Sequence, residues 1–202
     1  MRILSILLTA STASLMLACA DNDADTVEVE TDRIEELQRD VDTAAEQVAR
    51  IEMMEKSYAV VNSSGFEIGT VEISDNGDGV EVDLDVTSMP EGPHALHFHE
   101  VGRCDGPDFT SAGGHYNPSG NQHGFEATST PHAGDMRNFD APASGVVSVE
   151  RDNDRVSLSA REGFAPLLDA DGTALIIHAG ADDYESQPSG AAGGRIACAV
   201  IN

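Results

Sequence analysis

The residues able to do chemistry in this chain are its histidines: all seven lie between His94 and His178, and none precedes position 94. Neutral imidazole is the commonest metal-binding side chain, so such clustering points first to a metal. His97-Phe98-His99 puts two imidazoles on one face of an extended segment, because alternate residues of a strand point the same way. His115, His123 and His132 follow, and Asp135 stands three residues after His132. Three imidazoles and one carboxylate complete the four-coordinate shell that a closed structural zinc prefers. Alone, the His97/His99 pair is weak evidence, and solvated loop histidines are the competing reading. The completeness of the set favours the metal.

Such ligands need a frame. Val80-Glu81-Val82-Asp83-Leu84-Asp85-Val86 alternates without error, as expected for a strand with one buried face. Similar runs at Tyr58–Asn62, Phe66–Ile73, His94–Val101, Val146–Glu150, Val156–Ala160, Ala174–His178 and Ile196–Ile201 predict eight short strands. Gly, Asp and Asn lie between them, which argues for an all-β antiparallel sandwich or barrel. Aromatics make up 4% of the chain with no Trp, so its core is built from Val, Ile, Leu and Ala. Gly102–Ala143 carries no clear strand yet holds three of the histidines. Loops of that length are usually functional, and a bound metal would hold this one in place.

A formal charge of -25, from 36 acidic and 11 basic residues with Lys56 the single lysine, excludes nucleic acid as a partner. Solubility is the plain reading of such acidity. Arg2, the apolar stretch Ile3–Leu17 and the small residues that follow read as an export signal, too short for a comfortable membrane span. Leu15-Met16-Leu17-Ala18-Cys19 resembles a bacterial lipoprotein box, which makes Cys19 the candidate for a lipid anchor to the membrane. Cleavage after Ala20 by an ordinary signal peptidase is the competing route, and either one delivers the domain to an oxidising compartment, the periplasm. There Cys104 and Cys198 read best as a disulfide closing a long loop, with two independent buried thiols as the other reading.

Between signal and strands, Asp21–Asp32 reads as a solvated acidic linker. Ile34, Leu37, Val41, Ala44, Val48 and Ile51 then recur in steps of three and four, an amphipathic helix with a coiled-coil seam and Thr31 as its N-cap. The seam is either a homo-oligomerising stalk or a lone amphipathic helix, packed on the domain or extended as a spacer. The expected organisation is a signal or lipoprotein-like segment over 1–19, linker and helix over 20–56, and the β domain over 57–202.

The segments His94-Ala-Leu-His-Phe-His-Glu100, Gly113-Gly-His-Tyr-Asn-Pro118, Pro131-His-Ala-Gly-Asp135, Ile176-Ile-His-Ala-Gly180 and Gly193-Gly-Arg-Ile-Ala-Cys-Ala-Val-Ile201 resemble the signature segments of the copper/zinc superoxide dismutase family. They occur in the family's order over roughly Ser57 to Asn202. The resemblance implies an eight-stranded antiparallel Greek-key β-barrel. It implies copper held by His97, His99 and His178, with His115 bridging to a zinc completed by His123, His132 and Asp135. It makes His94 structural, Asp182 a carboxylate linking a copper histidine to a zinc histidine, Arg195 the guide for the superoxide anion, and Cys104–Cys198 a disulfide. The implied reaction disproportionates superoxide to dioxygen and hydrogen peroxide, with His115 handing a proton to the departing peroxide. One departure stands out: Ala181–Gly194 contains Asp182, Asp183 and Glu185 but no lysine, where many relatives carry lysines that attract the anion. A periplasmic copper-binding or copper-delivery protein and an inert barrel displayed by its helix are the rival readings. The complete ligand set and Arg195 argue against both.

Overall fold

The computed structural model describes residues 33–43, 55–126 and 130–202. Residues 33–43 are helical, and Ile34, Leu37 and Val41 form an apolar stripe exposed at 64, 57 and 56%. The remainder of the expected seam from Ala44, the N-cap Thr31 and the signal segment with Cys19 lie outside the described residues. Among the described residues, no helix is long and apolar enough to cross a membrane.

Eleven strands are described: β1 (Glu55–Asn62), β2 (Glu67–Asp75), β3 (Val80–Val86), β4 (Gly92–His94), β5 (Leu96–His99), β6 (Phe139–Ala141), β7 (Val147–Asn153), β8 (Val156–Ser157), β9 (Ala165–Pro166), β10 (Thr173–His178) and β11 (Arg195–Ile201). Seven form one antiparallel sheet in the order β5-β10-β11-β1-β2-β3-β7, and the long-range pairings β3–β7 and β5–β10 are Greek-key crossovers. Alternation decides which way each strand faces. In β3, Val80, Val82, Leu84 and Val86 are buried while Glu81, Asp83 and Asp85 point outward. The buried set joins Val71, Ile73, Phe98, Leu175 and Ile201 in the main core, where each fully buried aliphatic side chain stabilises the fold by roughly 1.5 to 3 kcal/mol.

The all-β fold is as expected, with differences in detail. The main sheet has seven strands, and the expected strand Val156–Ala160 is reduced to β8, which pairs in parallel with β9. The expected run His94–Val101 breaks at Ala95, whose N–H donates to Gly180 O instead of a ladder partner. The long loop region contains one turn of 3-10 helix at Thr110–Ala112 and the short strand β6, which pairs with β4. Cys104 and Cys198 form the disulfide, with Cα atoms 5.8 Å apart. It pins the segment carrying Phe109 and Ala112 onto Ala174, Ile176 and Cys198, a second apolar cluster beside the main core.

Candidate metal centre

Strand β5 lies at one end of the sheet, paired with β10 so that His97 stands opposite Ile176 and His99 opposite Ala174. Its other edge would be a row of unpaired backbone groups, and the long loop covers it. Phe98 N–H donates to Gly134 O at 2.9 Å, and Tyr116 N–H donates to Phe98 O at 2.8 Å. These contacts extend the bridges His97↔Asp135 and His99↔His115, so backbone pairing delivers His115 and Asp135 to the His97/His99 face. His178 ends β10 at a bulge after Ile177, and its cross-strand partner is Arg195. Gly134 is required where the loop crosses β5, because a Cβ there would overlap Phe98 O.

The seven candidate ligands form two groups sharing His115. In each, the donor atoms all lie within 4.8 Å of one another: His97, His99, His115 and His178 in the first, His115, His123, His132 and Asp135 in the second. Every one is buried. Hydrogen bonds on the far side of each ring set the direction of its free nitrogen. His97 Nε2–H donates to Asp182 Oδ2 at 2.8 Å, His99 Nδ1–H to Gly113 O at 3.0 Å, and His178 Nδ1–H to Gly193 O at 3.3 Å. Their opposite nitrogens, with His115 Nε2, are buried without a hydrogen-bond partner. On the other side, Asp135 Oδ1 lies 2.9 Å from His115 Nδ1 and 3.4 Å from His132 Nδ1, and Oδ2 lies 3.0 Å from His123 Nδ1. His94 belongs to neither group. Its ring nitrogens contact His178 O at 2.7 Å and Pro90 O at 2.8 Å, which ties the β4–β5 corner to the end of β10.

Asp182 joins the two halves, accepting from His97 Nε2 and, at 3.0 Å, from His123 Nε2. The join is tight enough that a Cβ on Gly190 would overlap the Asp182 carboxylate. Burial pushes His115 down to about 4, His178 down to about 3 and His99 well below its ordinary value, which keeps all three neutral, the form a metal needs. His123 runs the other way. Burial alone would lower it, but bonds to Asp135 and Asp182 prevail and lift it to about 9. Asp135 and Asp182 resist their own burial and are held far below the usual carboxylate range by the histidines around them. Among the described residues neither carboxylate is paired with a lysine or arginine, so the positive charge that stabilises them comes from a protonated His123 or from a bound cation.

The His97/His99/His115/His178 group opens into a cleft of about 620 Å³ lined by His99, His115, His178, Gln187, Pro188 and Arg195. Arg195 donates to Phe109 O and Gly113 O, each at 2.6 Å, and Gly113 O also accepts His99 Nδ1–H. The guanidinium is therefore fixed at the mouth by the segment that the disulfide pins down. Sequence spacing did not reveal several supporting residues. Gln187 pairs its carboxamide with the His123 backbone, accepting from N–H at 2.8 Å and donating to O at 2.9 Å. Asn138 forms a matching pair with the backbone of Asp182. No local motif marks either one, because each acts on a residue more than forty positions away.

Seven buried donors, unpartnered nitrogens pointing inward, and carboxylates that require a cation fit a pair of metal ions, four imidazoles serving one and three imidazoles with a carboxylate serving the other. The family model described as copper/zinc superoxide dismutase (SODC) matches residues 67–201. A copper-zinc superoxide dismutase of Aquifex aeolicus is 43% identical over 148 residues, covering 72% of this chain and 87% of the relative. One from Caulobacter vibrioides is 40% identical over 145 residues, covering 71% and 83%. Among solved structures, a SOD-like protein from Bacillus subtilis superposes with a TM-score of 0.69 at 37% identity, covering 72% of this chain and 97% of that one. Cu/Zn superoxide dismutase from Brucella abortus superposes with 0.60 at 27% identity, covering 73% and 99%. With the seven candidate ligands assembled in two groups that share one imidazole, the chain belongs to the copper/zinc superoxide dismutase family.

Proposed function

We propose that this protein disproportionates superoxide to dioxygen and hydrogen peroxide. Copper would be held by His97, His99, His115 and His178, whose unpartnered nitrogens face one another, and zinc by His115, His123, His132 and Asp135. The observation that carries the reading is the convergence of unpartnered, buried imidazole nitrogens on the side of His115 that faces the cleft. When bound, copper supplies the one-electron exchange in both directions and zinc supplies fixed positive charge on His115. The protein does the rest. Arg195 at the mouth attracts the anion and orients it toward the face of His99 and His178. His115 lines the cleft and its Nε2 is buried without a hydrogen-bond partner, so this nitrogen would hold a proton for the peroxide product whenever it is not serving as a copper ligand. Asp182 keeps the His97 and His123 rings turned so that their Nδ1 atoms face inward.

Metal analysis of the purified protein, together with superoxide decay after pulse radiolysis, tests the assignment. His97→Ala should abolish decay while zinc stays bound, and unchanged decay would remove copper from this position. The segment Leu15–Cys19 supports export with a lipid on Cys19, and 20–56 then serves as spacer for the domain over 57–202, whose strand β1 reaches back to Glu55. Labelled palmitate should enter the wild type and not Cys19→Ser; no label in either means a freely soluble periplasmic enzyme. The exposed stripe Ile34, Leu37 and Val41 supports self-association of the helix. Leu37→Glu should then lower the sedimenting mass, and an unchanged mass rejects the homo-oligomer.

A further inference from the structure

The turn His132–Asp135 supplies two ligands of the second group but little apolar packing of its own, so its backbone bonds hold it. All four of its carbonyls are satisfied. His132 O accepts Arg155 Nε–H at 3.2 Å, Ala133 O accepts Asn153 Nδ2 at 2.9 Å, Gly134 O accepts Phe98 N–H at 2.9 Å, and Asp135 O accepts Arg155 Nη2 at 2.5 Å. One guanidinium thus spans the carbonyls of both ligand residues. It projects from the barrel wall, since Asn153 ends β7 and its Oδ1 accepts Arg155 N–H at 3.0 Å. The Arg155 side chain is only 19% exposed, and its remaining arm is held by Asp154.

We propose that Arg155 is a positioning residue of the metal centre: the turn is closed by His132 N–H to Asp135 Oδ2 at 3.1 Å and Asp135 N–H to His132 O at 3.3 Å, and the planar fork of Arg155 braces it from outside by bridging the two carbonyls. The proposal rests on reading the second group as the zinc site. The Asp135 and Asp154 carboxylates attract the guanidinium, but a positive charge this close opposes a divalent ion, so charge alone does not account for an arginine here. A lysine keeps the charge but offers a single nitrogen, which cannot reproduce the two-carbonyl fork.

Cobalt(II) in place of zinc gives a visible spectrum that reports ligand geometry, and titration against a chromophoric chelator gives its affinity. Both are read on the full-length protein as wild type, Arg155→Lys, Arg155→Met and Arg161→Met. Arg161 pairs with Asp75 and stacks on Phe164 without touching any ligand, so its variant controls for general loss of stability. The Arg155 variants should bind cobalt about tenfold more weakly with an altered band, since partners that orient metal ligands are typically worth 10- to 100-fold. Arg161→Met should bind as the wild type does even if it melts earlier. The decision rests on Arg155→Lys, which keeps charge and most of its volume. Wild-type affinity and spectrum in that variant overturn the positioning role, and so does equal weakening in Arg161→Met. A wild type without a tetrahedral cobalt spectrum overturns the zinc reading itself, a result distinguishable from either.

Discussion

Replacing Asp182 by Asn should damage copper binding far more than zinc binding, for a reason visible in its hydrogen bonds. Oδ1 accepts two donors, His123 Nε2 at 3.0 Å and Tyr184 N–H at 2.7 Å, while Oδ2 accepts only His97 Nε2 at 2.8 Å. An amide has one acceptor oxygen, and it will occupy the Oδ1 position, where two donors wait. Its NH2 group then faces His97 Nε2. His97 can accept from that group only by moving its own proton to Nδ1, the unpartnered nitrogen proposed to hold copper. Holding Nδ1 free instead leaves two donors face to face in a fully buried place, at a cost of about 1 to 3 kcal/mol on top of the lost charge-assisted bond. A combined loss of about 3 kcal/mol corresponds to copper affinity reduced on the order of 100-fold. Zinc keeps its ligand tautomers and loses only the nearby charge, so its affinity should fall about tenfold. Chelator competition for each metal measures both numbers. Asp182→Ala removes the partner of both rings and should weaken the two metals to similar extents, which makes asymmetry the signature of the tautomer argument. Copper affinity within threefold of wild type, or zinc weakened more than copper, would refute it.

Arg195→Glu should slow superoxide decay by one to two orders of magnitude, roughly the range that steering supplies, and make the rate rise steeply with salt. The wild type should be nearly flat, because salt screens the far field of 36 acidic residues along with the near field of Arg195; a sharp fall would reveal positive steering from other residues. Cys198→Ser opens a loop of 94-residue separation and should cost about 4 to 5 kcal/mol in urea denaturation, and a loss under 1 kcal/mol would contradict that. Metal-stripped protein should be most stable near pH 6.5. Below that pH the unfolded chain binds more protons than the fold at His115, pushed down to about 4, and His178, pushed down to about 3, so stability is lost with acid. The stabilising charge on His123, raised to about 9, is fully present below 6.5 and is lost between 6.5 and 9. Urea midpoints in chelator that climb steadily from pH 5 to 9 would reject this balance.

Much of this protein can be read along the chain because the relevant signals are local. The period-two alternation of Val80–Val86 specifies a strand and its buried face from adjacent residues, and His97-Phe98-His99 specifies a shared face by the same rule. The ligand types and their order, the cysteines and Arg195 are likewise visible in one dimension. Three matters are not. Val156–Ala160 reads as a full strand but ends after two residues, since its pairing depends on Ala165–Pro166 being beside it. Which nitrogen of each imidazole is free depends on acceptors brought from elsewhere, such as Asp182 for His97 and Gly113 for His99. Arg155, Asn138 and Gln187 leave no motif, because each holds a backbone group 20 to 64 positions away. Residue type and periodicity therefore determined which side chains could bind metal and that His97 and His99 share one strand face; the tertiary fold alone decided which nitrogen is free, how it is oriented and what supports it, since hydrogen-bond direction depends on neighbours that only chain closure brings together.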